Sequence, residues 1–209
     1  MRAAAFVRYS GAEGLGHVGW AFDLGGGLVD CGAVEDARGM PSADPAQMGF
    51  WTEATADPVA LMATHDPVYD ALKYVDVAVA DARAAYATVV WVSEQPYTLF
   101  GRNCMDDVYD VLRSFGVPGL PPPVLHWVPN NWFAAFGGTP EPMTFAWTPA
   151  PLSAAAAAPA LQAVNAAHAA VQAVAPAWRV PGTAEWHDLQ AQMAAASPIP
   201  SVQSSARVR

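Results

Sequence analysis

The stretch His17-Val18-Gly19-Trp20-Ala21-Phe22-Asp23-Leu24, followed by Gly25-Gly26-Gly27 and then Leu28-Val29-Asp30-Cys31-Gly32-Ala33-Val34, decides the fold. Two apolar runs flank three glycines. Glycine enters positive φ without a Cβ penalty, so such a triplet reverses the chain between two strands. Residues 17–24 and 28–34 are therefore expected as a hairpin. Upstream, Ala3–Tyr9 is β-prone, and SGAEGLG at 10–16 reads as a turn-rich connector. An antiparallel sheet near the N-terminus follows.

Further along, helical spacing takes over. Asp66-Pro67 resembles an N-cap followed by proline at the first helical position. Tyr69, Leu72, Val75, Val79, Arg83 and Tyr86 then recur at three and four residues, which predicts a helix over 67–89, with VVWV at 89–92 continuing as a strand. Asn103 is the expected N-cap of CMDDVYDVLRSF, whose Met105, Val108, Leu112 and Phe115 form an apolar stripe. Gly116 stands where a left-handed C-terminal cap belongs. Residues 37–49 read as a polar, proline-containing loop, PGLPPP at 118–123 as irregular chain, and 128–138 as a short helix closed by paired glycines. The fold class expected is α+β, a small antiparallel sheet packed against helices.

Composition divides the chain. Residues 150–209 hold 21 alanines but only five charged side chains, Arg179, Glu185, Asp188, Arg207 and Arg209. We expect a domain at 1–148 and an Ala/Pro-rich extension at 149–209, partly helical or flexible. With 10 basic and 19 acidic residues the net charge is −9, which disfavours phosphate backbones and anionic surfaces as partners, so no nucleic acid is expected. The N-terminal apolar run is broken by Arg8, too short for a secretory segment, and no window is long enough for an integral membrane segment. A cytoplasmic location is the expectation, non-classical export aside. Two cysteines, Cys31 and Cys104, are too few for a disulfide scaffold or a cysteine-cluster zinc site. No cofactor or metal is expected; Asp106, Asp107 and Asp110 read as a solvated helix face.

Cys104 is the first candidate for chemistry. At a helix start, free N–H groups and the dipole favour a thiolate, and the Cys104 N–H could serve an oxyanion. A cysteine so placed is nonetheless more often a small buried hydrophobe. His17, at the start of a strand behind a glycine-rich connector, is the candidate base. The other histidines, His65, His126, His168 and His187, have no comparable setting. A hairpin closed around Gly25–Gly27 sets Asp30 near Ala21, on the face of Gly19 and His17, so Asp30 could orient the imidazole; a one-residue change of register favours Glu35 instead. Cys31 would then point the other way as a structural residue.

The order GHVGWAFDLGGGLVD, middle helix, YTLFGRNCMDDVYDVL resembles the circularly permuted papain-like superfamily, including the NlpC-like hydrolases and the lecithin:retinol acyltransferase-like and PPPDE isopeptidase families. The likeness covers roughly residues 3–118. It implies Cys104 as nucleophile, His17 as base and Asp30 as the polar third member, where the acyltransferase-like branch carries histidine. Asn103, Gly16 and Trp20 are the expected substrate contacts. The activity implied is thiol-dependent hydrolysis of a peptide, isopeptide or peptidoglycan-type amide, with a peptide or acylated substrate. The alternatives are lipid acyl transfer through the same dyad and a non-catalytic binding module that keeps the fold. The oligomeric state is left open.

Overall fold

A computed structural model describes residues 1–36, 48–65, 68–93, 95, 97 and 102–148. The 149–209 extension and most of the 37–49 loop lie outside the described residues. Within them the chain is α+β. Six antiparallel strands, β1 (Arg2–Arg8), β2 (His17–Gly25), β3 (Leu28–Asp36), β4 (Met48–Thr55), β5 (Ala71–Asp76) and β6 (Glu141–Pro142), form an open sheet in the order β4-β3-β2-β1-β5-β6. Between β1 and β2 stands a single turn, α1 (Gly11–Gly14), in which Ala12 and Glu13 adopt left-handed φ values of 46° and 58°.

Each central strand alternates between two apolar layers, as a period of two demands. Ala3, Ala5 and Val7 of β1 and Val18, Trp20, Phe22 and Leu24 of β2 enter one layer. That layer is closed by α3 (Ala82–Val92), α4 (Cys104–Phe115) and α5 (Pro129–Ala135). Ala4 and Phe6 of β1, Ala21 of β2 and Val29, Cys31 and Ala33 of β3 enter the second. Val59 and Met62 of α2 (Pro58–Thr64), with Tyr69 and Trp147, cover that side. The sheet is thus buried on both faces, which explains why β2 reads as a nearly continuous apolar run rather than an alternating one.

The hairpin forms as expected, but the helix over 67–89 does not. Residues 71–76 are β5, pairing with the outer edge of β1 from Arg2↔Asp76 to Val7↔Ala71. Without that strand, β1 would leave a row of backbone groups unpaired inside the protein. Lys73 gives the strand period away: buried between Leu72 and Tyr74, it points to the helical layer and donates to the carbonyls of Ala134 and Phe136, each at 2.9 Å. The helix begins only after Asp81, whose carboxylate accepts from the Ala84 N–H at 2.8 Å, and it carries VVWV as its last turn rather than as a strand. The N-cap and proline signal read at 66–67 is realised instead at Asp57-Pro58, opening α2. Asp66 and Pro67 lie outside the described residues. β4 was hidden behind the loop that precedes it; its pairing with β3 spans Val29↔Thr55 to Asp36↔Met48.

Candidate functional site

Cys104 is the first residue of α4, as its spacing implied. Asn103 caps the helix by accepting from the Met105 N–H at 2.9 Å, while the Asn103 N–H donates to the Asp106 carboxylate at 3.0 Å. This reciprocal box leaves a well-defined helix start. The cysteine is buried, 2% exposed. Near it lies the buried phenol of Tyr97. Burial, reinforced by that thiol and by Asp107, pushes the Tyr97 hydroxyl far above its usual range, so it stays protonated. No spacing in YTLFGRNC announces Tyr97; only the packed chain brings it there.

The acidic residues beside Cys104 also differ from a solvated face. Asp107 is buried and ion-pairs with Arg102 at 2.7 Å, while Arg102 reaches Asp110 at 2.9 Å and lies over the Trp91 ring at 4.3 Å. Burial pushes the Asp107 carboxyl up to about 7 despite the opposing pull of Arg102. Asp106 is consumed by the capping box. Their helix positions, 106, 107 and 110, suggested a common exposed surface; the helix instead turns Asp107 inward.

His17 lies on the other side of the sheet. It pairs with Arg8, two residues beyond Phe6 on the same face of β1. Its ring stands 5.8 Å from that of Tyr69, at 41°. Gly11 lies against it so closely that a Cβ there would come 2.6 Å from His17 Cβ. Tyr69 also meets the edge of His65 at 6.3 Å, and His65 stacks on Trp51 at 4.0 Å. This face is an aromatic and imidazole cluster facing α2, remote from the helical layer that holds Cys104.

Asp30 follows a third course. A register shift between Asp23 and Gly25 sets Asp30 opposite Phe22 and Cys31 opposite Ala21. The expected pairing was Asp30 with Ala21. A one-residue slip exchanges the faces of every side chain beyond it. Asp30 therefore faces the helices, accepting hydrogen bonds from Trp20 Nε1 at 3.1 Å and Thr52 Oγ1 at 2.9 Å, and Cys31 takes the His17 face. Complete burial pushes the Asp30 carboxyl up to about 7, against the lowering effect of those two donors. The backbone of Glu35 is in β3, but its side chain lies outside the described residues.

Thus Cys104 and Asp30 share the helical layer, while His17 is separated from both by the sheet. Of the expected substrate contacts, Trp20 is fully buried in the core and Asn103 is spent on its cap. Gly16, at φ 96°, packs on Asn130, whose Oδ1 would lie 2.1 Å from a Cβ there; close approach and backbone conformation account for this glycine. Among the described residues no three His, Cys, Asp or Glu side chains are grouped to hold a metal ion, and no helix is long and apolar enough to cross a membrane. No family model, curated protein or solved structure matches this chain.

Proposed function

We propose that this chain is a binding module on a permuted papain-like layout, with Cys104 retained as a buried core thiol. The observation that carries this reading is the position of His17, on the face of the sheet opposite Cys104. A thiol nucleophile needs a base within hydrogen-bonding reach to hold the thiolate and return the proton to the leaving group. The aromatic cluster of His17, Tyr69, His65 and Trp51 is the alternative place for a ligand to act.

Thiol-dependent hydrolysis of an amide is the second reading, with a peptide, isopeptide or peptidoglycan-type substrate. It is favoured by the cysteine at the first position of a capped helix and by a protonated phenol near the sulfur. Lipid acyl transfer would require the same thiol chemistry. One experiment separates binding from catalysis: iodoacetamide labelling of the folded protein, with the modified residues mapped by mass spectrometry. The binding reading expects Cys104 and Cys31 both to remain unmodified until the protein is unfolded. Rapid labelling of Cys104 in the folded state, together with amide hydrolysis that disappears in Cys104→Ala, would establish the thiol hydrolase instead.

A further inference from the structure

The face of the sheet that carries His17 also carries a cation to which no described carboxylate is paired. Arg8 ends β1 directly opposite His17. The Gly11 backbone closes over both: a Cβ there would come 2.6 Å from His17 Cβ and 3.2 Å from Arg8 Nε. That Nε is buried with no hydrogen-bond partner, and among the described residues no Asp or Glu forms an ion pair with the guanidinium. Asp70 meets the same end of β1 but accepts from the Tyr9 N–H at 2.7 Å, and Glu13 on the adjoining turn is exposed. The chain holds 19 acidic and 10 basic side chains, so a half-buried arginine left without one of those acids stands out. Arginine does not shed its charge when water is removed, so an anion brought to it offsets the desolvation.

The rest of this strip is made of rings. His17 leads to Tyr69 at 5.8 Å, Tyr69 to His65 at 6.3 Å, and His65 to Trp51, stacked at 4.0 Å. Arg8, His65 and Trp51 are half-buried and reach solvent, while His17 and Tyr69 form the buried floor that links them. His65 Nδ1, like Arg8 Nε, is buried with no hydrogen-bond partner. We propose that the strip binds an organic carboxylate with a flat aromatic body. The carboxylate sits on the Arg8 guanidinium and the body lies along the strip towards the Trp51–His65 stack. A guanidinium is a planar fork that a carboxylate matches with two parallel N–H···O bonds. The stack supplies a flat apolar wall at the other end. The net charge of −9 repels a polyanion more strongly than a ligand with one negative charge, which favours a monocarboxylate.

This names the ligand class of the aromatic cluster and rests on the binding reading above. Its test is NMR titration of the full chain with 3-phenylpropionate, using 3-phenylpropionamide as the neutral isostere. The acid should saturate one site, and the amide should bind at least about tenfold more weakly. Arg8→Gln should weaken the acid to the level of the amide. Arg8→Lys keeps the half-buried charge but not the fork, so its affinity should fall between the two; thermal midpoints measured alongside separate loss of contact from loss of fold. His65→Ala should weaken acid and amide alike, because the stack holds the body and not the charge. Equal binding of acid and amide would overturn the proposal, as would acid binding unchanged in Arg8→Gln, or inorganic phosphate displacing the acid at equal concentration. No saturation by the acid below about 10 mM would overturn it too, since a ligand of this size in a fitted site binds more tightly. Any of these results with Cys104 still resistant to iodoacetamide removes the carboxylate alone. Rapid labelling of Cys104 removes the binding reading itself.

Discussion

Gly32 shows how a single missing Cβ shapes the molecule. It lies opposite Trp20, on the helical face, and the indole occupies the space a side chain would need. A Cβ there would come 2.4 Å from Trp20 Cζ2 and 2.6 Å from the Trp51 carbonyl oxygen. The ring is fully buried and the carbonyl is backbone, so neither gives way cheaply. Gly32→Ala should cost about 2–3 kcal/mol, read as a lower urea midpoint at unchanged slope. Gly25 makes the contrast: nothing lies within 4 Å of its added Cβ, but its φ is +85°. Gly25→Ala should cost ~1 kcal/mol, from backbone conformation alone. Equal losses at the two sites would contradict this division between packing and dihedral strain. The glycine-turn signal that located the hairpin says nothing about Gly32, because the need there arises from a tryptophan on another strand.

At the scale of the element, α4 is the part most fully legible in the sequence. Its apolar stripe, N-cap and terminal glycine are all local, and the helix runs from Cys104 to Phe115 with Gly116 at φ 100°. Asn103→Ala should destabilise the fold by about 1 kcal/mol and Asn103→Gly by only a few tenths, in paired chemical denaturation curves. A larger loss in the glycine variant would point to a role for Asn103 beyond its cap. By contrast, the β5 segment also satisfies helical spacing, through Tyr69, Leu72, Val75 and Val79, yet it forms a strand. What decides between the periods is the second edge of β1, which lies more than sixty residues upstream. Local spacing offers two answers there, and backbone pairing chooses one.

Among the described residues two carboxyls, Asp30 and Asp107, are buried in the helical layer, and both resist ionisation. Asp30 and Asp107 are each pushed up to about 7 from 3.8, chiefly by burial. A raised folded-state value means the folded protein binds more protons than the unfolded chain between those limits. Stability is therefore greatest below about pH 4 with respect to these groups and declines as pH rises towards 7, by up to ~1.4 kcal/mol per pH unit for each. Asp30→Asn should flatten that dependence by one group's share while keeping an oxygen for Trp20 and Thr52. Denaturation midpoints at pH 5 and pH 8 test this; an unchanged pH dependence in Asp30→Asn would exclude Asp30 as a source.

The sequence by itself determined the antiparallel hairpin, the cysteine at the head of an amphipathic helix and the α+β class, since each rests on local periodicity, turn chemistry and capping. It also placed Cys104 and His17 in an order that resembles a thiol hydrolase. Which side chains meet was decided only by the tertiary structure. A strand sends successive residues to opposite faces, so His17 and Val18 differ by one position in the chain and by the thickness of a sheet in space. The register shift between Asp23 and Gly25 then sent Asp30 to the helices and Cys31 to the histidine face. Such parity depends on one residue of register, and the energy that selects it comes from both buried layers together, beyond the reach of any single segment.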